Sequence, residues 1–297
     1  MYTEIWEKIM RSHFTIFNDY LSKSDIKHHK YLQKLGIVLN VKTGHLVYGK
    51  NFEHIKLDLE LAFVRHGETL GNCGQSTADG KVDISLVKSN IKNSELRIFQ
   101  GDVDTEINQL TTLGKQQAKL AATQLESEFL SNGWIPDIIL HSPLSRAKET
   151  GLPFVTRNNF QDIYIPHNGI REMSFGSWDN RRVCDLSPKD PCHSFYRNQN
   201  SLVRSRNGES FCDVLQRAHR TLIELNEQYP NKKIIMFSHS MFGAACCILL
   251  GKGQTIENGK HLAFDGKRAN GEYYTMPHAT PVLLNVDLIR VKNRCHI

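Results

Sequence analysis

The chain contains four short apolar runs, and each is followed by polar side chains that are able to do chemistry. The runs cover residues 61–64, 137–140, 162–165 and 234–237. Arg65 and His66 follow the first run, and His239 follows the last. A short apolar run that leads into a helical pattern is typical of a buried parallel strand, and open α/β sheets bind ligands at the carboxyl ends of their strands. The pattern therefore predicts that His66 and His239 meet in one crevice.

Helical periodicity alternates with these runs. Apolar positions recur on one face over residues 111–129 and 211–225, and a further apolar helix is expected over 241–250. Ser210 with Asp213 resembles a capping box at the start of the second helix. A last strand is expected over 282–286. This alternation favours an α/β fold in which helices cover both faces of a mostly parallel sheet.

Residues 1–57 are predicted to form an N-terminal extension to a main domain over 58–297. One or two helices are expected within 1–34, followed by a hairpin whose strands lie within 37–40 and 45–48. Gly44 is free to take the positive φ that the turn of such a hairpin requires. Residues 75–94 are polar and show little periodicity, which indicates an insertion or loop beside the crevice.

Composition and charge narrow the class of protein. The chain has 297 residues, of which 40% are hydrophobic and 23% are charged, as in an ordinary soluble globular protein. The formal net charge of +6 suits either a solubility surface or the attraction of anionic substrates. The sequence has neither an arginine-rich stripe interleaved with aromatic residues nor zinc-finger spacing, so nucleic acid is disfavoured as a partner.

Motifs that the sequence lacks disfavour several other classes. There is no Rossmann glycine fingerprint, no P-loop and no pair of residues with convincing metal-ligand spacing, so neither a cofactor nor a metal is predicted. The seven cysteines are irregularly spaced, which indicates a reducing compartment rather than a disulfide framework. No apolar segment approaches the roughly 20 residues that a bilayer requires, and a cytoplasmic protein with no membrane partner is expected.

The residues after the apolar runs suit the chemistry of a phosphate ester. Arg65 and Arg146 present planar guanidinium groups that match phosphate oxygens. His66 is the candidate nucleophile, and attack through a ring nitrogen gives a phosphohistidine that water then hydrolyses. His239 could add charge to the site. Glu172 is the best-placed donor of a proton to the leaving alcohol, and Glu68 is a second option.

Six motifs in a fixed order connect these residues. They cover residues 65–72 (Arg-His-Gly-Glu-Thr-Leu-Gly-Asn), 99–118, 142–150, 172–178, 208–217 and 238–239. Together they resemble the histidine phosphatase superfamily, whose members have the phosphoglycerate-mutase-like fold. The resemblance extends from about residue 58 to the end of the chain and leaves residues 1–57 and 75–94 unaccounted for.

The resemblance implies a three-layer α/β/α sandwich and a covalent phosphohistidine mechanism without a metal. It implies His66 as the nucleophile, Glu172 as the proton donor, and a phosphate pocket formed by Arg65, Arg146 and His239. Asn72 is implied as a phosphate ligand, and Gln100 and Gly101 are implied at the pocket mouth. Three positions depart from the family pattern. Gly71 stands where many members carry tryptophan, and Asn180 and Ser240 stand where glycine is common. The Ser240 hydroxyl is expected either to narrow the pocket or to add a donor.

The sequence favours a phosphatase that hydrolyses a small phosphorylated metabolite. A phosphoglycerate-type mutase is the alternative within enzymes, but the run over 175–181 departs from the mutase pattern. A phosphoprotein phosphatase and a non-catalytic module that binds phosphorylated ligands remain further alternatives. The loop after Glu172 contains several arginines, some of which are hypothesised to hold a second anionic group of the substrate. They are Arg181, Arg182, Arg197, Arg204 and Arg206. His278 is interpreted as a surface or structural residue. The oligomeric state is not predicted.

Overall fold

A computed structural model describes residues 23–73, 98–256, 261–265 and 276–285. The predicted insertion over 75–94, most of the helical region expected within 1–34, and the Arg197 side chain lie outside this description. The six helices that it describes are α1 (Lys23–Lys34), α2 (Thr112–Glu128), α3 (Ser145–Arg157), α4 (Cys192–Asn198), α5 (Phe211–Gln228) and α6 (Ser240–Leu249).

The described strands form one central sheet and two small antiparallel pairs. In chain order they are β1 (Ile37–Leu39), β2 (Leu46–Tyr48), β3 (Glu60–Arg65), β4 (Ile138–His141), β5 (Tyr164–Pro166), β6 (Lys233–Ser238), β7 (Thr255–Ile256), β8 (His261–Leu262) and β9 (Val282–Leu283). The central sheet has the order β5-β4-β6-β3-β9. Its first four strands are parallel, and β9 pairs with β3 in the antiparallel sense. The predicted mostly parallel sheet is therefore confirmed.

Side chains of the central strands alternate between two hydrophobic clusters, because successive residues of a strand point to opposite faces. Leu61 and Phe63 of β3 join the cluster that also contains the buried residues of α5 and α6. Ala62 and Val64 join the cluster that contains those of α2 and α3. Helices therefore cover both faces of the sheet, and the predicted three-layer α/β/α sandwich is confirmed.

The starts of two helices follow the capping chemistry of the sequence. The Thr111 side chain accepts a hydrogen bond from the Gly114 amide at the start of α2. At the start of α5, Ser210 accepts from the Asp213 amide, and the Asp213 carboxylate accepts from the Ser210 amide at 2.8 Å. The predicted capping box is confirmed, and it sets the first turn of α5.

The N-terminal segment packs on the sandwich. The hairpin of β1 and β2 forms as predicted, with Gly44 at a φ of +72°. The buried side chains that this segment adds to the α5 and α6 cluster are Leu32, Ile37, Leu39 and Leu46. His28 of α1 lies 2.9 Å from the Asp213 carboxylate of α5, and the Tyr31 hydroxyl lies 2.7 Å from Nδ1 of His219. The segment before residue 58 thus shares a core with the rest of the chain.

Two strands differ in extent from the sequence expectation. Residues 161–163 form a short 3-10 helix, and β5 begins only at Tyr164. The last described strand is limited to Val282–Leu283. Within the described part of the chain, no helix combines the length and the apolar character needed to cross a bilayer. The cysteines described there with free thiols are Cys184, Cys192, Cys212, Cys246 and Cys247.

Candidate active site

The register of two neighbouring parallel strands brings His66 and His239 together. Arg65, the last residue of β3, is paired with Ser238, the last residue of β6. The His66 amide then donates a hydrogen bond to the Ser238 carbonyl at 2.9 Å. Because each histidine is the next residue after its strand, their imidazoles lie side by side with ring centroids 5.2 Å apart. Both side chains are buried.

The hydrogen bond of the His66 ring selects its tautomer. Nδ1 lies 2.7 Å from the Gly67 carbonyl oxygen, which only accepts hydrogen bonds, so Nδ1 carries the proton and Nε2 keeps its lone pair. Burial, followed by the positive charge of Arg146, holds the pKa of His66 well below its usual value. His66 is therefore neutral at neutral pH and able to act as a nucleophile through Nε2.

A contact between two glycines fixes the backbone beside His66. A Cβ on Gly67 would lie 2.5 Å from the Gly114 carbonyl oxygen, and a Cβ on Gly114 would lie 2.0 Å from the Glu68 carbonyl oxygen. The Gly67 amide also donates to the Thr150 hydroxyl of α3 at 2.9 Å. The loop after β3 is therefore held against the start of α2 and against the middle of α3.

Two arginines carry positive charge into the same buried region. Arg65 donates from Nη1 to the Met276 carbonyl at 3.1 Å. Arg146 is fully buried and donates to the carbonyls of Gly101 at 2.7 Å and Val103 at 3.2 Å. Burial lowers the pKa of Arg146 to about 10, so the group remains a cation at neutral pH. No carboxylate of the described residues lies within ion-pair distance of Arg146.

His239 supplies further polar groups that no described residue satisfies. Neither of its ring nitrogens has a hydrogen-bond partner among the described residues, although the side chain is fully buried. Burial and the positive charge of Arg146 keep the pKa of His239 well below its usual value. A buried cation without a carboxylate, next to unsatisfied ring nitrogens, is costly unless an anion satisfies both. The arrangement therefore fits a phosphate group.

Glu172 is the candidate acid of this region. Its carboxyl group is buried and accepts hydrogen bonds from the Met173 amide at 2.9 Å and from the Met241 amide, in the first turn of α6, at 3.2 Å. Burial raises the pKa of Glu172 above its ordinary value in spite of these bonds and of the nearby Arg146. Glu68, the second candidate, accepts instead from the Thr111 hydroxyl at 2.9 Å, at the start of α2. The geometry thus favours Glu172 as the group that holds a proton for transfer.

The comparisons with known proteins agree with this geometry. The family model of the histidine phosphatase superfamily (branch 1) matches residues 61–272. The chain belongs to the histidine phosphatase superfamily. Its enzymatic class is that of the phosphatases. The matched range contains every residue of the site described above except Met276.

Curated relatives of this histidine phosphatase carry different names. It is 34% identical to the mannitol-1-phosphatase of Eimeria tenella over 85% of this chain and 82% of the relative. It is 28% identical to phosphoserine phosphatase 1 of Hydrogenobacter thermophilus, over 67% of this chain and 86% of the relative. It is 26% identical to a probable phosphoglycerate mutase of Yersinia pestis, over 65% of this chain and 75% of the relative.

The loop of this histidine phosphatase that carries Glu172 is held by an arginine clamp. Arg217 of α5 makes two hydrogen bonds to the Glu209 carboxylate, at 3.0 and 2.9 Å. Its guanidinium also donates to three carbonyls of the loop that carries Glu172, here called the acid loop. These carbonyls belong to Gly169, Arg171 and Glu172. The Ser174 amide donates to Glu209 as well, at 2.9 Å. Since one planar fork satisfies several loop carbonyls, Arg217 positions the Glu172 backbone.

Replacing Arg217 with lysine is expected to lower kcat for an alkyl phosphate by about 10-fold to 100-fold with little change in KM, because a point charge cannot hold all of these carbonyls. The measurement is steady-state kinetics together with thermal unfolding. Arg220→Lys makes the same change at an exposed position of α5 and serves as the matched control. If Arg217→Lys lowers the unfolding temperature but leaves kcat unchanged, the clamp is structural only.

Four other residues were predicted to belong to the site, and the structure gives the contacts or the position of each. Asn72 is exposed, and its Oδ1 accepts from the Thr69 amide at 3.1 Å and from the Thr69 hydroxyl at 2.8 Å. Oε1 of Gln100 lies 2.6 Å from the same hydroxyl, which donates its single proton to only one of these two oxygens at a time. Gly101 presents its carbonyl to Arg146, while its amide donates to Asp179 at 2.7 Å. Ser240 is the buried first residue of α6, directly after His239.

The departures from the family pattern have a physical basis at two positions. A Cβ on Gly71 would lie 2.5 Å from Cδ of Gln100, so the Gln100 side chain occupies the space beside this glycine. Asn180 has a φ of +61°, a left-handed conformation that asparagine tolerates better than most residues. Arg181 and Arg182 contact Asp185 of their own loop, so their role in holding a second anionic group stays a hypothesis.

One residue beside His66 was not predicted from the sequence as part of the site. The His278 ring centroid lies 5.7 Å from that of His66, and its Nδ1 lies 3.1 Å from the His66 carbonyl oxygen. His278 follows no apolar run, but it comes shortly before β9, which is antiparallel to β3. The start of an antiparallel neighbour lies at the carboxyl end of a parallel strand. The sequence predicts the last strand but not its pairing with β3, so it gave no signal for the position of His278.

Proposed function

We propose that this chain hydrolyses a small phosphate monoester through a phosphohistidine on His66. The observation that carries the proposal is a neutral His66, with Nε2 unprotonated, among Arg65, Arg146 and His239. The Glu172 carboxyl group accepts a hydrogen bond from the Met241 amide, in the first turn of α6, the helix that follows His239. This set contains a nucleophile, a positively charged pocket for the phosphoryl oxygens and a buried acid, which are the parts that phosphoryl transfer requires.

The first step transfers the phosphoryl group to the enzyme. Nε2 of His66 attacks phosphorus, and the bond between phosphorus and the ester oxygen breaks. Glu172 gives its proton to the departing alkoxide, which leaves as an alcohol. The guanidinium groups of Arg65 and Arg146 stabilise the charge on the three equatorial oxygens during transfer.

The second step releases phosphate. Glu172, now a carboxylate, takes a proton from water, and the resulting hydroxide oxygen attacks phosphorus. The nitrogen–phosphorus bond breaks, which returns the electron pair to Nε2 of His66. Glu172 keeps the proton, so that the enzyme is ready for a second ester.

The pocket mouth favours a polyol phosphate as substrate. Gln100 accepts hydrogen bonds through Oε1, whereas its Nε2 donates to no described residue and can meet a substrate hydroxyl. Arg171, next to Glu172 in the chain, is paired through Nη1 with Asp102 at 2.8 Å, and this carboxylate competes with a substrate carboxylate for the same cation. The relative with 34% identity is a mannitol-1-phosphatase, and it covers more of this chain than the phosphoserine phosphatase does. We therefore infer a hexitol phosphate.

A substrate panel tests this proposal. Mannitol 1-phosphate is expected to give a kcat/KM at least about 10-fold above phosphoserine and 3-phosphoglycerate, since the loss of one or two paired hydrogen bonds costs this much. Gln100→Leu is expected to remove most of this preference without affecting p-nitrophenyl phosphate, which has no hydroxyl to bind. Equal kcat/KM values across the panel contradict the polyol assignment. Conversion of 3-phosphoglycerate to its 2-isomer without phosphate release would instead indicate a mutase.

A further inference from the structure

Gln117 of α2 contacts the backbone that follows His66. Its Oε1 accepts a hydrogen bond from the Glu68 amide at 2.8 Å. Gly114 lies three residues earlier on the same face of α2, and a Cβ there would lie 2.0 Å from the Glu68 carbonyl oxygen. Because Gly114 has no side chain, the loop after β3 approaches α2 closely enough for Gln117 to reach its backbone.

The peptide group that Gln117 holds is also the one that holds the His66 ring. This peptide joins Gly67 to Glu68, and its carbonyl oxygen lies 2.7 Å from Nδ1 of His66 while its N–H donates to Gln117. A peptide group is planar and trans, so its C=O and its N–H point in opposite directions. Gln117 therefore sets the direction of the carbonyl that accepts the Nδ1 proton.

Other residues hold the two neighbouring peptides. The Gly67 amide, which belongs to the preceding peptide, donates to the Thr150 hydroxyl at 2.9 Å. The Glu68 carbonyl, which belongs to the following peptide, accepts from the Thr111 amide at 3.0 Å. Loss of the Gln117 side chain would leave the loop attached on both sides and would release the peptide between these contacts.

The two hydrogen bonds of this peptide also strengthen each other. An acceptor at the N–H polarises a peptide group and makes its carbonyl a better acceptor. A stronger bond at Nδ1 of His66 keeps the proton on that nitrogen and the lone pair on Nε2, the atom that attacks phosphorus in the proposed mechanism. In the other neutral tautomer Nε2 carries the proton and is not a nucleophile.

We propose that Gln117 is a positioning residue for the nucleophile, which fixes the peptide between Gly67 and Glu68 and thereby the tautomer and the direction of the His66 ring. The inference deepens the proposed function and rests on it. The alternative is that Gln117 only attaches the loop to α2 and contributes to stability.

Three substitutions separate these roles. Gln117→Leu removes the acceptor and suits a helix, whereas Gln117→Glu keeps an acceptor at the same reach. Gln116→Leu makes the same change at the preceding, exposed position of α2 and is the matched control. The rate of phosphoryl transfer to the enzyme is measured as the burst of p-nitrophenol from p-nitrophenyl phosphate. The inhibition constant of sulfate and the temperature of thermal unfolding are measured on the same samples.

Gln117→Leu is expected to slow phosphoryl transfer by about 10-fold to 100-fold, because a misdirected ring or the wrong tautomer loses the aligned attack. Its sulfate inhibition constant is expected to change by no more than about twofold, since the arginines of the phosphate region keep their contacts. Gln117→Glu and Gln116→Leu are expected to transfer the phosphoryl group within about threefold of the wild-type rate.

Three results overturn the inference. One is a lower unfolding temperature of Gln117→Leu with an unchanged transfer rate, which indicates a structural role alone. Another is a sulfate inhibition constant that rises in parallel with the loss of rate, which indicates a disturbance of the whole site. The third is a loss in Gln117→Glu as large as that in Gln117→Leu.

Gln117→Asn answers the same question if Gln117→Leu does not fold. It keeps the amide but withdraws its oxygen from the Glu68 amide by one methylene group, so transfer is expected to be slow in Gln117→Asn and close to the wild-type rate in Gln117→Glu. Equal rates in these two variants overturn the inference. A wild type that forms no phosphohistidine contradicts the proposed function itself, and this result differs from a labelled wild type whose rate does not depend on residue 117.

Discussion

Replacing His66 with alanine is expected to lower kcat for every phosphate ester by on the order of 10⁴-fold or more, because the substitution removes the proposed acceptor of the phosphoryl group. The unprotonated Nε2 of His66 lies among Arg65, Arg146 and His239, whereas both of the arginines are cations and cannot act as nucleophiles. The measurement is steady-state kinetics with p-nitrophenyl phosphate, followed by denaturing quench of enzyme incubated with a phosphorus-32 ester. The wild type is expected to retain label that is lost in acid and stable in base, as a phosphohistidine is, and His66→Ala to retain none.

His141→Ala is a closely matched control for this experiment. His141 is the last residue of the parallel strand β4. Like His66 it is buried, and its Nδ1 lies 2.8 Å from the carbonyl oxygen of the next residue, Ser142. Its ring packs on Tyr164 at 4.4 Å rather than beside the two arginines. His141→Ala is expected to lower stability while labelling is kept. Label that persists in His66→Ala disproves the phosphohistidine assignment.

The meeting of His66 and His239 could be predicted in part from the sequence. Each follows an apolar run, and runs of parallel strands end at one edge of a sheet. The neighbouring positions of β3 and β6 could not be predicted, because the strand order β5-β4-β6-β3-β9 depends on how the helices cross the sheet. With another order, the two rings would stand one or more strands apart instead of 5.2 Å.

The role of individual polar groups depended on contacts between distant segments. The choice between Glu172 and Glu68 was open in the sequence, and it depends on burial and on the Met241 amide of α6, 69 residues along the chain. The place of His278 depends on the bridge between it and Arg65, which tertiary pairing alone sets. Propensity and periodicity carry no information on either contact.

Replacing Glu172 with glutamine is expected to lower kcat for an alkyl phosphate such as mannitol 1-phosphate by about 10²-fold to 10⁴-fold, the usual contribution of a general acid. Glutamine is close in shape and still accepts from the Met241 amide, but it has no proton to transfer. The loss for p-nitrophenyl phosphate is expected to be much smaller in the first step, because the departing phenolate needs little protonation. Burst kinetics separate this step from the hydrolysis of the phosphohistidine, for which the carboxylate is needed as a base.

The pH dependence supplies a second signature of the same group. Burial raises the pKa of Glu172, so the acid stays protonated to a higher pH than an exposed carboxyl group would. For an alkyl ester, kcat/KM is expected to fall as the pH rises through that pKa, and Glu172→Gln is expected to lose this limb of the profile. Glu68→Gln makes the same change at the other candidate acid and is expected to keep this limb of the pH profile. Only the true proton donor discriminates between leaving groups of different basicity. Two results would therefore contradict the assignment of Glu172. One is an equal loss on alkyl and aryl esters in the first step of Glu172→Gln, and the other is a selective loss on alkyl esters in Glu68→Gln.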